Sequence, residues 1–304
     1  MTRQIQGFIG VAAAQMLLGT LGVCVLESGA DPLSVTFYRC VIGGLVLALY
    51  GAFRGNLSAV LRLPPRVLGL ALASGLLMVG NWVLFFTAMQ HIGIAVATIV
   101  FHVQPFMVVV IGALVFRERL HAVTFGWIAL ALIGLALATE STKGQTAIDA
   151  PWLLGICCAL GGAFLYSVVT IIAKGLTGIT GPQLAFVQCL CGIVLLVLVV
   201  PVGPLEVSSV QWAWFAVIGV VHTGGVYMLL YNALPKLSTP LAAVLLFLYP
   251  ATAIIADAIV YGHRLGPAQY AGVGCILIAS LGVTLKWGVR RSLSVSASRV
   301  RGER

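Results

Sequence analysis

Three ionisable side chains sit where a bilayer would not tolerate them idly. His102, Arg39 and Asp257 each lie inside an apolar run long enough to cross a membrane. A charge at that depth costs several kcal/mol, so an intramembrane ionisable residue is a functional candidate until a partner is found. His102 could touch a substrate or carry a proton; the plainer reading is a neutral imidazole satisfied by a neighbouring helix. Asp257 must pair or stay neutral, and could serve proton coupling or structure. Arg39 and Asp257 are expected toward the same side of the membrane. Depth therefore allows them to pair, but the sequence does not set their helices side by side.

Polar and aromatic groups gather around these three. Ala95, Thr98, His102 and Pro105 follow at i, i+3, i+7 and i+10, which is one helical face. Small and polar residues on a membrane helix suit a cavity wall or a close helix contact better than lipid. Pro105 cannot donate its backbone bond and frees the carbonyl of Phe101. A bend at this point, with Pro250 as its counterpart, would suit a hinge or gate. Met78, Asn81 and Phe85 share a face of the third apolar run. Gln15 lies in the first run, Tyr166 and Ser167 in the sixth, Tyr227 and Tyr231 in the eighth, and Phe247 in the ninth. Rings combined with amides and hydroxyls fit a substrate with an apolar body and polar ends. Each aromatic alone is equally at home in core packing or an interfacial belt.

Apolar helices must position these groups. Of 304 residues, 61% are hydrophobic and 8% charged, against roughly 25% charged in soluble domains. Ten apolar runs reach bilayer-spanning length, at about 5–26, 33–53, 67–90, 93–115, 121–139, 151–173, 182–202, 210–233, 238–261 and 266–287. An all-α polytopic membrane protein follows, since lipid leaves only helices and closed barrels as spanning structures. Most of the 17 Lys and Arg fall in alternate loops and at the ends if the N-terminus is cytoplasmic. That bias places both termini in the cytoplasm. The net charge of +9 is thus a topology signal, and no nucleic-acid partner is expected. The seven cysteines lie in or beside apolar runs without metal-ligand spacing, so packing is expected rather than metal or disulfide.

The chain repeats itself. GIAVATIVFHVQPFMVVVIGALVFRERL at 93–120 matches STPLAAVLLFLYPATAIIADAIVYGHRL at 238–265, 145 residues on. Pro105 maps to Pro250 and Arg119 to Arg264. In the second and seventh runs Phe37, Arg39, Cys40 and Gly43 match Phe186, Gln188, Cys189 and Gly192 at an offset of 149. The expected units are 1–140, 150–287 and a basic cytoplasmic tail, 288–304. Five spans per half turn the second copy upside down, which makes two inverted five-helix repeats with a midplane site between them.

These features resemble the EamA-type transporters of the drug/metabolite transporter superfamily. The resemblance rests on the two five-span halves, on Phe116-Arg117-Glu118-Arg119-Leu120 after the fourth span, on the Gly-rich fifth span GWIALALIGLALA, and on a basic residue, Arg39, early in the second span. It implies alternating-access export or exchange of small metabolites, often amino acids. The second half departs from the pattern with His263 where glutamate is expected, so that glutamate is not a symmetric functional pair.

No phosphate-binding loop, channel filter or hydrolase motif occurs. The expected function is export of amino acids, aromatic ones included, or similar metabolites across the plasma membrane, with no cofactor. Few fixed charges near the candidate cavity argue against phosphorylated substrates. Efflux of lipophilic cations, a channel and a membrane-embedded enzyme are the alternatives. The partners are a small-molecule substrate and lipid. Spans five and ten belong at the periphery or at a homodimer contact.

Overall fold

The structure is a computed structural model that describes residues 3–55, 57–117, 122–138, 149–200, 207–237, 245–246, 248–285 and 287–288. Phe247, Glu118, Arg119, the 289–304 tail and the Tyr231 side chain lie outside the described parts. Every expected run contains helix where described, and no strand occurs among the described residues. The helices are α1 (Arg3–Glu27), α2 (Pro32–Phe53), α3 (Pro65–Ile92), α4 (Ile94–Phe101), α5 (Gln104–Phe116), α6 (Ala122–Ala138), α7 (Ala150–Gly175), α8 (Gly181–Leu196), α9 (Ser209–Val217), α10 (Val226–Ala233), α11 (Leu248–Tyr261) and α12 (Pro267–Thr284). Among the described residues six stretches are long and apolar enough to span a bilayer: Arg3–Glu27, Pro32–Phe53, Pro65–Ile92, Ile94–Val115, Ala150–Gly175 and Ser209–Lys236. Val123–Ala138, Gly181–Leu196, Leu248–Tyr261 and Pro267–Val283 are shorter apolar helices.

Local sequence explains where the helices begin. Proline occupies the first turn of α2, α3, α7, α8 and α12, where its missing N–H costs nothing and its fixed φ suits the helix. Asp31 caps α2 by accepting from Leu33 N and Ser34 N at 2.9 and 3.0 Å. Asp149 caps α7 by accepting from Trp152 N at 2.9 Å.

The fourth run was expected to be one bent helix. It is interrupted instead: α4 stops at Phe101, and α5 restarts at Gln104 with Pro105 in its first turn. His102 and Val103 bridge the gap in tightened turns, with His102 N bonded to Thr98 O and Ile99 O, and Val103 N to Val100 O. The axis therefore continues while the ladder is broken at the proline. Pro250 likewise falls in the first turn of α11. A second interruption separates α9 from α10, where Ile218–Gly225 widens into a π-helical segment. Such widened turns recur at functional sites.

Helix packing pairs off across the two halves. α1 lies on α11 as α7 lies on α4 and α5; α3 lies on α7 as α10 lies on α1; α2 meets α8; α6 meets α12. The largest core joins α1, α2, α3, α4, α7, α8 and α9. Spans five and ten bind each other closely: a Cβ on Gly134 would come within 2.8 Å of the Gly272 carbonyl. The glycines of these two helices are thus used inside one chain.

Candidate functional site

The helix break sets an aromatic cluster. With α4 ending at His102, the imidazole folds back so that Nδ1 lies 2.8 Å from Thr98 O. Its ring stacks on Tyr249 from the start of α11, at 5.6 Å between centroids and 29° between planes. Phe101, one residue earlier, lies 4.5 Å from Phe85 of α3 and 5.8 Å from Tyr166 of α7. Thr98 Oγ1 is the buried side-chain polar atom without a hydrogen-bond partner among the described residues. The Tyr249 hydroxyl lies close enough to it for a weak hydrogen bond. Buried polar groups are nearly always satisfied, and Tyr249 is the neighbour that can satisfy this one.

The other expected site residues divide. Asn81 Nδ2 donates to Gly162 O at 2.8 Å, tying α3 to α7. Ser167 Oγ is shared between Ala163 O at 2.7 Å and Gln104 O at 3.2 Å, which joins α7 to the start of α5. Both therefore act as helix clamps beside the cluster. Met78 and Gln15 are buried on α3 and α1. Tyr227 is half-buried against the main core. Phe247 and the Tyr231 side chain fall outside the described parts. Two residues of the cluster, Phe101 and Tyr249, were not among the expected binding residues. The repeat carried a signal for Tyr249: it precedes Pro250 as Gln104 precedes Pro105.

The pairing of Arg39 with Asp257 that depth allowed is not formed. Asp257, buried in α11, has both carboxylate oxygens 3.3 Å from His263 Nδ1, and the Ile94 N–H at the start of α4 approaches the same carboxylate. The chain reverses through Gly262 at φ 70°, and that turn brings an exposed histidine back over the helix end. Next to it, the Tyr261 hydroxyl donates to Glu27 Oε1 at 2.9 Å, fastening the end of α11 to the end of α1.

Arg39 has different company. It is 4% exposed, and its Nε donates to Thr223 Oγ1 in the π-helical segment at 2.9 Å. The guanidinium carbon lies 4.5 Å from the Trp82 ring centroid and 5.7 Å from that of Phe86. The widened backbone presents Thr223 because the hydroxyl also donates five residues back, to Ile218 O at 3.1 Å. His222, beside it, has Nε2 3.0 Å from Thr20 Oγ1 on α1. α2 can approach this closely only because Gly43 lacks a side chain: a Cβ there would sit 2.6 Å from Thr223 Cγ2. All cysteines of the described residues are free, and no group of three His, Cys, Asp or Glu among them could hold a metal.

Known proteins share this sequence and fold. A solved structure superposes with a TM-score of 0.66 at 20% identity, covering 96% of this chain and 100% of that one. An uncharacterized transporter of Bacillus subtilis, YxxF, is 27% identical over 279 residues, 91% of this chain and 88% of that protein. The threonine/homoserine exporter RhtA of Escherichia coli K12 is 26% identical over 257 residues, 83% of this chain and 81% of that protein. The model of the EamA-like transporter family matches twice, over residues 5–139 and 153–285. With a ten-helix fold and both halves matched, this chain is a transporter and belongs to the EamA-like transporter family.

Proposed function

We propose that this protein exports amino acids, or small metabolites like them, from the cell by alternating access. The observation that carries the reading is the cluster at the helix break: Phe85, Phe101, Tyr166 and the His102–Tyr249 stack beside the buried Thr98 hydroxyl. Rings receive an apolar body, and imidazole, phenol and hydroxyl receive polar ends. The threonine/homoserine exporter among the relatives points to the same substrate class. Residues 1–140 and 150–287 form the two rocking units in this reading, inverted in the membrane. Pro105 and Pro250, one in each unit, are the hinge or gating positions of this reading. Both termini and the basic 288–304 tail lie in the cytoplasm, as the distribution of Lys and Arg supports. A homodimer in this reading pairs through the outer faces of spans five and ten. Catalysis and cofactors have no part in the cycle.

Efflux of lipophilic cations would call for a carboxylate free to meet the cargo. Asp257 is the deep candidate, and it is engaged by His263. Purified protein in liposomes should show saturable flux of at least one amino acid across a panel tested with and without a proton gradient. Flux of an organic cation with none of any amino acid would overturn the reading. If Asp257 carries the coupling proton, Asp257→Asn should abolish the dependence of flux on that gradient.

A further inference from the structure

We propose that Arg39 is the anion anchor of the transport path, and that the group it takes is the carboxylate of the cargo. The inference rests on the amino-acid reading and adds to it a side chain and a chemical requirement.

Arg39 stands seven residues into α2, which puts it about 10 Å along the helix from Pro32. That depth lies within hydrocarbon, where a permanent cation needs a partner. The partner it has is neutral. One hydroxyl accepts from Nε, and two ring faces cover the guanidinium. Ring faces stabilise a desolvated cation by roughly 2 kcal/mol, which does not replace a counter-charge. Arg also presents more donors in its fork than Nε alone, in the geometry that receives a carboxylate bidentately. Among the described residues the one contact between a carboxylate and a basic nitrogen at this range is Asp257 with His263, and it does not include Arg39.

The second half indicates that the fold does not require this charge. Gln188 is the repeat counterpart of Arg39 and makes the corresponding crossing: its Nε2 donates to Ser74 Oγ on α3 at 3.3 Å. A neutral amide bonded to a hydroxyl holds that helix pair together. The guanidinium at the other crossing is surplus to packing.

Position supports the assignment. Trp82, whose ring covers the Arg39 guanidinium, lies one helical turn from Phe85 of the aromatic cluster on α3. A cavity of about 220 Å³ at the head of α2 is lined by Asp31, Ser34, Tyr38, Gln211 and Phe215. Arg39 lies one residue deeper on α2 than Tyr38 and is not part of that lining. A cargo with its carboxylate on Arg39 would direct its body along Trp82 toward Phe85.

The test uses the whole protein in liposomes and compares Arg39→Gln and Arg39→Lys with the native chain. The probes are the amino acids that the native chain carries and the amides and methyl esters of the same acids. The expected result has three parts. The native chain prefers the free acids. Arg39→Gln raises their KM by about tenfold or more while leaving the poor flux of amides and esters unchanged. Arg39→Lys recovers part of the loss. Acids carried by Arg39→Gln with unchanged KM, or native flux of amides equal to that of acids, would overturn the anchor and leave the amino-acid reading standing. Native liposomes that carry organic cations and no amino acid would overturn both.

Discussion

Two helix crossings in this molecule have the same plan and different chemistry. At one, α2 meets the π-helical segment of the eighth span through Arg39 and Thr223. At the other, α8 meets α3 through Gln188 and Ser74. Each sends a long side chain to a hydroxyl across a contact made narrow by glycine. Gly43 lies against Thr223 at the first, and at the second a Cβ added to Gly75 would sit 3.4 Å from the Gln188 Cα. The second crossing does this with neutral groups in regular helices. The first adds a buried cation, two ring faces and a widened helix. Regular packing is the cheaper solution, so the costlier crossing is the one carrying something besides packing.

The largest effect should come from breaking the charged crossing outright. Arg39→Leu should lower amino-acid flux by about 100-fold, on the order of 3 kcal/mol, while the protein still purifies folded. The equivalent truncation, Gln188→Leu, should leave KM within about twofold and cost roughly 1 kcal/mol of stability through the lost bond to Ser74, whose hydroxyl still donates to Ala71 O. Flux assays with denaturant melts on the same preparations check both. Equal flux losses at the two sites would erase the functional difference between the crossings.

Next in size is a steric test. Gly43→Leu drives a branched side chain into Thr223, where the first carbon alone would lie 2.6 Å from Cγ2 and 3.3 Å from the Gly219 carbonyl. Overpacking of this kind should cost about 3 kcal/mol. Gly44→Ala, one residue on, meets Cys189 Cβ at 3.2 Å and should cost under about 1 kcal/mol. Thermal unfolding in detergent ranks the two. A neutral Gly43→Leu would mean that α2 and the widened segment separate readily.

How far these features were legible in the sequence depends on the range of the interaction. Proline at helix starts, the Asp31 and Asp149 caps, the repeat and a distortion at Pro105 are local or periodic, and the chain displays them directly, although the proline signalled a bend and the structure shows an interruption. What joins distant helices was not legible. Tyr249 reaches His102 through the packing of α11 on α4, which no spacing encodes. Arg39 and Asp257 could be matched by depth, but azimuth decides pairing: Gly43 admits Thr223 to Arg39, and the turn at Gly262 returns His263 to Asp257. The π-helical segment was hidden too, because Ile218–Gly225 holds no proline and reads as ordinary helix.

The smallest prediction separates the two hydroxyls. Thr223→Val keeps the shape and removes the acceptor of Arg39 Nε. Loss of a neutral partner to a charged donor costs roughly 1.5–3 kcal/mol when the donor stays dry. Arg39 keeps its contacts with the Trp82 and Phe86 rings, so stability should fall toward the lower end of that range, by about 1.5 kcal/mol. The guanidinium would then lose its fixed orientation, and the KM for amino acids should rise about threefold with little change in maximal rate. Ser74→Ala removes the matching acceptor from Gln188, whose amide carries no charge to orient. Its KM should stay at the native value, and its stability should fall by no more than about 1 kcal/mol. A KM shift of the same size in Ser74→Ala would mean that each hydroxyl acts only by fastening its helices, leaving the charged crossing no positioning role.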